Sequence, residues 1–191
     1  MNLGSSLAQS VYNYLDIGKS PRPADCLYVL SGNQKRDAYG IRMWRYGYAR
    51  QLILRTVRSE WPNLAEHKLE TVSRLESLLK QMPADEDCFL VHVDHQQTFC
   101  APIGAGRIKI RSEARALAEH LRDRPVRSLL VVSSPIHLRR VAHFFRRAFR
   151  KAGVHLAFVA VPENPSLSSP SIQAEIWMEF GKYLLSRAFF L

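Results

Sequence analysis

Cysteine and long apolar runs are scarce in this sequence, and each scarcity excludes a class of protein. The 191 residues include three cysteines, Cys26, Cys88 and Cys100, which form no CxxC motif and cannot all pair. Such a set argues against a disulfide scaffold and favours a reducing, intracellular setting. No window holds the roughly 18 uninterrupted apolar residues that a membrane helix needs, and the N-terminus lacks the basic start of a signal peptide. We therefore expect a cytoplasmic protein without a transmembrane segment.

Acidic residues are also in short supply, at 17 Asp and Glu against 27 Lys and Arg, so the formal net charge is +10. This surplus favours an anionic partner, such as a phosphate, a nucleic acid, an acidic lipid surface or a carboxylate substrate. The chain has no GxSxG elbow of a hydrolase, and its turn "SGNQKR" is too poor in glycine for a dinucleotide or Walker loop. The charge thus indicates an anion, while the common enzyme signatures are missing.

Short apolar runs alternate with segments of helical periodicity along the chain. The apolar runs cover residues 25–32, 50–57, 88–93, 128–134 and 154–161. The helical patterns include residues 64–81, a segment starting near Ser112, and residues 172–187. This alternation implies crossover connections, and near-continuous apolar strands imply a sheet covered on both faces. We predict one domain over residues 1–191, with a helical extension at 1–20 and a three-layer, Rossmann-like α/β fold around a mainly parallel five-stranded sheet.

Polar residues follow most of the predicted strands. In a parallel sheet the carboxyl ends of all strands lie along one edge, and ligands bind in the crevice there. The residues expected at this edge are Ser31, Gly32, Asn33, Arg36, Asp94, His95, Ser133, Ser134, His137, Glu163 and Asn164. Glu113, at the start of the helix near Ser112, should lie close to the same edge.

The stretch "VVSSPIHLRR" has two interpretations. Ser134 followed by Pro135 is typical of a helix start, with the hydroxyl at the N-cap and proline at the first helical position. That interpretation does not account for His137, Arg139 and Arg140, because the helix dipole disfavours cations in the first turns unless an anion is nearby. A capped helix and an anion site are about equally well supported by these residues.

The same stretch carries a family likeness. "LLVVSSPIHLRRVAHFFRRAF" resembles the segment of the YdcF/SanA/ElyC-like family in which a strand leads into Ser/Thr-x-x-x-His-x-x-Arg and an apolar helix. "ADCLYVLSG" is similar to the first strand and glycine turn of that family, and Arg36 and Gly47 match its arginine and its Gly-x-Ala. "SEARALAEHL" places Glu113 at the acidic position, and "EFGKYLL" places Glu179 and Lys182 in the closing Glu-x-x-Lys helix.

The likeness spans roughly residues 25–185 and departs from the family pattern at two places. Arg55–Val57 stand where the family has Ser-Gly-Gly, and Ile110 stands where a threonine is typical. Both departures would remove ligand contacts. The resemblance implies a Rossmann-like fold and a role related to the bacterial cell envelope, and it implies no particular reaction or cofactor.

The first functional hypothesis is a small anionic ligand, phosphorylated or nucleotide-like, at the carboxyl edge of the sheet. Arg36 and Arg140 would hold its charge, Ser134 and the helix amides would bind an oxygen, and His137 would be the general acid or base. Glu113 would orient His137 or a bound water. Further ligand contacts are expected from Gly32, Asn33 and Ser133. Whether the chain is a hydrolase, a transferase or a binder stays open at this point.

Two alternatives use other residues. A metal site at His92, Asp94, His95 and Cys100 is disfavoured, because neighbouring strand residues point to opposite faces and no second cluster completes the set. The segments "KRDAYGIRMWRYGYAR" and "RRVAHFFRRAFRK" interleave arginine with aromatic residues, as surfaces for single-stranded nucleic acid do. The second hypothesis is therefore a non-catalytic basic module that binds nucleic acid or a partner protein through Arg146, Arg147 and Arg150.

Overall fold

A computed structural model describes residues 3–30, 32–57, 59, 77, 80–82, 88–94, 98–103 and 109–190. The helices are α1 Leu3–Leu15, α2 Gln34–Arg45, α3 Lys109–His120, α4 Pro135–Ala148 and α5 Pro170–Phe189. The strands are β1 Ala24–Val29, β2 Ala49–Val57, β3 Cys88–Val93, β4 Thr98–Pro102, β5 Ser128–Ser133 and β6 His155–Ala160. Each predicted strand is present within a few residues of its expected bounds. The predicted helix at 64–81 lies almost wholly outside the described residues, as do Ser31 and His95.

The strands form a six-stranded mixed sheet in the order β4-β3-β2-β1-β5-β6. The pairs β2–β1, β1–β5 and β5–β6 are parallel. The pairs β2–β3 and β3–β4 are antiparallel. The α/β architecture is confirmed, and the strand number of five is corrected to six.

The additional strand, β4, lies in a segment that the sequence suggested to be an irregular loop. It pairs only with β3 and forms one border of the sheet, with Pro102 opposite Phe89. Proline donates no backbone hydrogen bond, so it is tolerated on a border strand. A five-residue border strand that contains proline gives a weak sequence signal, which explains why the pattern missed it.

Helices cover both faces of the sheet. On one face, Ile41 and Met43 of α2 pack with Leu27, Val29 and other side chains of the strands. On the other face, Leu117 of α3 and Phe145 of α4 pack with a second set of strand residues. In β5, Leu129 and Val131 pack on the face covered by α3 and α4, while Leu130 and Val132 pack on the face covered by α2. This alternation is expected for a strand that is covered on both faces. The three predicted layers are present.

The outer helices α1 and α5 pack against each other and against the start of α4. Their contact is a third apolar cluster that includes Ala8, Leu15, Ile136, Ile176 and Tyr183. In the described part of the chain, no helix is both long enough and apolar enough to cross a membrane. The predicted extension at residues 1–20 is thus a helix that is built into the fold.

The direction of the strands decides which polar residues meet. The strands β1, β2, β5 and β6 all end at one edge, which we call the carboxyl edge. β3 runs in the opposite direction, so Asp94 lies at the other edge, where its carboxylate accepts a hydrogen bond from Gln51 Nε2 at 3.2 Å. The expectation that Asp94 joins the carboxyl-edge residues is therefore wrong, because an apolar run carries no information about strand direction.

Candidate functional site

The helix α4 begins where the sequence predicts, with Ser134 at the N-cap and Pro135 at the first helical position. The Ser134 hydroxyl does not cap the helix. It accepts a hydrogen bond from Arg36 Nε at 2.9 Å and donates one to Glu163 Oε1 at 2.9 Å. Because Arg36 follows β1 and Glu163 follows β6, the sheet topology brings the three residues together at the carboxyl edge.

Arg36 and Ser134 are buried at this junction, with 6% and 4% of their surfaces exposed. Burial lowers the pKa of the Arg36 guanidinium, and the nearby Glu163 carboxylate acts in the opposite direction. A buried guanidinium needs acceptors, and Ser134 supplies one of them. The arrangement fixes the direction of the Arg36 side chain before any ligand binds.

Ser133, the last residue of β5, is fully buried. Its Oγ has no hydrogen-bond partner among the described residues. A buried hydroxyl without a partner is costly, by roughly 1–3 kcal/mol, so its presence at the carboxyl edge calls for an explanation. The Ser133 hydroxyl, next in sequence to Ser134, can therefore still donate and accept a hydrogen bond.

A second group of polar side chains surrounds Glu179 of α5, which is 2% exposed. His137 Nδ1 lies 2.9 Å from Glu179 Oε2, which is within ion-pair distance, but the angle at Nδ1 is not that of a hydrogen bond. Arg140 donates to the same oxygen from Nη2 at 2.7 Å and from Nε at 3.1 Å. Lys182 Nζ donates to Oε1 at 2.8 Å. One buried carboxylate thus holds the two residues that the sequence singled out on α4, together with Lys182.

The surroundings of Glu179 keep it ionised. Burial by itself raises the pKa of this carboxyl group, but His137, Lys182 and Arg140 outweigh it, so the pKa lies well below its usual range. The opposite nitrogen of the imidazole, Nε2 of His137, makes no hydrogen bond to any described residue. Glu179 therefore lies beside Nδ1 of the ring, and Nε2 is the nitrogen without a described contact.

Glu113 of α3 is buried and belongs to a third group of polar side chains, together with Arg55 and Tyr28. Its Oε1 is 3.1 Å from Arg55 Nη1, and its Oε2 accepts a hydrogen bond from the Tyr28 hydroxyl at 3.4 Å. Burial and the neighbouring Glu113 charge raise the pKa of Tyr28 well above its usual value. The sequence predicted that Glu113 orients His137 or a bound water. Among the described residues, the carboxylate in contact with that ring belongs to Glu179 instead.

Arg55 was missed as a site residue, although the sequence marked its position as a departure from the family pattern. At the end of β2, where the resembling family has Ser-Gly-Gly, this chain has a guanidinium beside a buried glutamate. Arg55 therefore adds a charged contact near the carboxyl end of β2. The sequence singled out Glu179 and Lys182 only through their place in the Glu-x-x-Lys helix. No local pattern predicts that they contact His137 or its neighbours.

The remaining predicted residues have structural explanations of their own. Asn33 caps α2, because its side chain accepts a hydrogen bond from Lys35 N at 2.8 Å. Gly32 has φ +98°, a backbone conformation that favours glycine. Arg139 turns toward α1, where its guanidinium lies 3.9 Å from the centre of the Tyr14 ring. These observations explain Asn33, Gly32 and Arg139 without a ligand.

The structure also describes the three cysteines and the potential metal ligands. Cys26, Cys88 and Cys100 are all free thiols. Within the described ranges, no three side chains of His, Cys, Asp or Glu come close enough together to hold a metal ion.

No protein-family model matches the chain, and comparisons with curated proteins and with solved structures found no match either. The resemblance to the YdcF-like family therefore stays a prediction from the residues quoted above.

Proposed function

We propose that this protein binds a small phosphorylated or nucleotide-like anion at the carboxyl edge of the sheet and uses His137 as its general acid or base. The observation that carries the proposal is the His137–Glu179 pair. A buried, ionised carboxylate lies 2.9 Å from one ring nitrogen, and the other ring nitrogen has no partner among the described residues. A carboxylate in this position favours the tautomer with a proton on Nδ1, so that Nε2 can accept one.

Cations at the same edge support binding of an anion. Arg36 and Arg140 are held at fixed positions by Ser134 and Glu179, on either side of the first turn of α4. The first turn of this helix adds few amide donors, because Pro135 has no N–H and the His137 amide donates to the Ser134 carbonyl at 3.0 Å. The unpartnered hydroxyl of the buried Ser133 gives the ligand one more contact.

The chemistry that follows is a proton transfer during hydrolysis or group transfer at a phosphate ester. His137 Nε2 takes the proton of an attacking hydroxyl or water as its oxygen bonds to phosphorus, and the imidazolium then returns a proton to the leaving oxygen. Arg36 and Arg140 offset the negative charge on the phosphoryl oxygens. Glu179 is a positioning residue that acts through His137. Glu113 and Arg55 shape the neighbouring wall.

The likeness to the YdcF-like family adds a biological setting to this proposal. It suggests metabolism related to the bacterial cell envelope. The free thiols suit a reducing compartment, for which we propose the cytoplasm.

A thermal-shift screen tests the proposal first. Wild type and His137→Ala would be screened against nucleotides, sugar phosphates, adenosyl compounds and short oligonucleotides. We expect one small anion to raise the midpoint of unfolding of wild type in a saturable manner and to do so much less in the variant, because a ligand that binds only the folded state stabilises it. Turnover of that ligand would then be measured, with loss in the variant of about 100-fold or more.

His155→Ala is the matched control, because His155 is exposed at the start of β6, the end of the strand away from the carboxyl edge. It should bind and turn over the ligand as wild type does. Normal turnover by His137→Ala would refute the catalytic assignment, and equal ligand shifts in the two variants would refute the site.

A further inference from the structure

A second pocket lies between α3, α4 and the C-terminal end of α5, and its volume is about 280 Å³. It shares no residue with the contacts around Ser134 and Glu179. Arginine and phenylalanine supply most of its lining: Arg111, Arg115, Arg147, Arg150, Phe144 and Phe190. None of the described residues that line it is acidic.

The four guanidiniums in this pocket have no described carboxylate beside them. None of them forms an ion pair with a carboxylate in the described part of the chain. Arg147 and Arg150 lie at the C-terminal end of α4, where the helix dipole favours a positive charge. The dipole does not account for Arg111, which lies in the first turn of α3, a turn without an acidic residue. An anion in the pocket would relieve the repulsion between these groups.

The aromatic wall of the pocket is held in place. The Phe190 ring lies 5.9 Å from the buried Phe144 ring and 4.7 Å below the Arg111 guanidinium. The carbonyl of Phe190 lies 3.1 Å from His143 Nε2. Phe189, which also lines the pocket, is 74% exposed. A large ring kept in water beside arginines offers a surface on which a planar group can stack.

We propose that this Arg–Phe pocket binds a phosphate group carried on a planar ring, which is the chemistry of a nucleotide. The guanidiniums take the phosphate in paired hydrogen bonds, and the phenylalanine rings take the base. The source is either a free nucleotide or the nucleotides of a single strand, and both present the same two groups. This inference does not depend on the function proposed for the carboxyl edge.

Isothermal titration with adenosine monophosphate tests the charge requirement. The double substitution Arg147→Gln with Arg150→Gln should weaken binding by about tenfold for each contact to phosphate that is lost. Arg22→Gln with Arg127→Gln is the control, since it removes the same charge from exposed positions outside the pocket. It should leave the affinity within about twofold of wild type. Far-UV circular dichroism and the unfolding midpoint verify that both variants fold.

Phe189→Ala tests the ring requirement. It should weaken binding of adenosine monophosphate and leave binding of inorganic phosphate unchanged, because only the nucleotide stacks. Equal affinities of wild type for inorganic phosphate and for the nucleotide would overturn the assignment of a ring to the ligand.

A fluorescent oligothymidylate, measured by anisotropy, distinguishes the two sources. Tight binding of the strand with weak binding of the mononucleotide identifies a single strand, and the reverse identifies a free nucleotide. Equal losses in the pocket and control variants would overturn the proposal, as general electrostatic attraction would then account for binding. Nucleotide binding that His137→Ala abolishes and the pocket variant retains would also overturn it, while supporting the site at the carboxyl edge.

Discussion

Glu179 connects more of the candidate site than any other residue described above. Its two oxygens contact His137, Arg140 and Lys182, and the three partners differ in exposure. The side chain of Arg140 is 15% exposed and that of Lys182 is 47% exposed. Removal of one partner is more destabilising when the other partner is shielded from water, because the remaining charge is then buried without a countercharge. Loss of each contact should therefore lower the free energy of unfolding by a different amount.

Glu179→Gln is expected to lower the free energy of unfolding by about 3 kcal/mol, because it leaves the shielded Arg140 without a countercharge. Lys182→Gln removes the exposed partner and should cost less than about 1 kcal/mol. Urea denaturation of the two variants at neutral pH measures both effects. Similar decreases in the free energy of unfolding of the two variants would contradict a larger contribution from the Arg140 contact.

Glu179→Gln should also alter function in a way that a purely structural role would not. If Glu179 positions His137 for proton transfer, loss of the carboxylate should lower kcat by about 10-fold or more and change KM much less. Steady-state kinetics on the substrate found in the screen separate the two constants. An unchanged kcat would mean that Glu179 does not act through His137.

At the scale of single elements, the position of α2 depends on a glycine. A Cβ atom added at Gly40 would lie 2.2 Å from Val29 Cγ2 of β1, which is far inside van der Waals contact. The close approach of helix and strand fixes the start of α2, one turn earlier, where Arg36 reaches Ser134. The position of the Arg36 guanidinium therefore depends on the packing of the helix behind it.

Gly40→Ala should destabilise the protein by about 1–3 kcal/mol through overpacking, despite the better helix propensity of alanine. Gly181→Ala in α5 is the matched control, because a Cβ there meets nothing within 4 Å. It should be neutral or stabilising by up to about 1 kcal/mol. Thermal and urea unfolding of both variants give the comparison, and a stabilised Gly40→Ala variant would contradict the described contact.

At the scale of the whole molecule, a histidine pair couples the stability of the fold to pH. His92 of β3 and His120 of α3 join the sheet to a covering helix, with His92 Nδ1 2.9 Å from His120 Nε2. Burial lowers the pKa of each ring to about 4, and the charge of Arg124 adds to the effect. Both rings are therefore neutral in the folded protein at neutral pH.

The sign of the resulting pH dependence follows from proton binding. In the unfolded chain these histidines titrate near pH 6.5, so below that pH the unfolded state binds protons that the folded state does not. Stability should be fully present above about pH 6.5 and fall as the pH drops toward about 4. The double variant His92→Phe with His120→Gln should show a shallower fall. Urea unfolding across this interval measures the slope, and equal slopes would contradict the assignment.

The sequence correctly predicted those features that depend on residues close together in the chain. The strand spans and the start of α4 at Ser134 and Pro135 follow from hydrophobic runs and capping chemistry, and they are present. His137 and Arg140 stood out because cations are unusual in the first turns of a helix. Their partner Glu179 could not be identified, because it lies about forty residues away, on a helix whose placement depends on packing.

The sequence by itself determined the α/β class, the strand segments, the basic character and the polar junction before α4. Tertiary structure alone decided that β3 is antiparallel, that β4 exists, and that Glu179 rather than Glu113 lies against His137. The physical reason is that hydrophobic period and capping act within a few residues, while strand direction and side-chain partners depend on contacts between distant segments. The proposed function uses both kinds of information, because the sequence singled out His137 and Arg140 and the tertiary structure identified Glu179 as their partner.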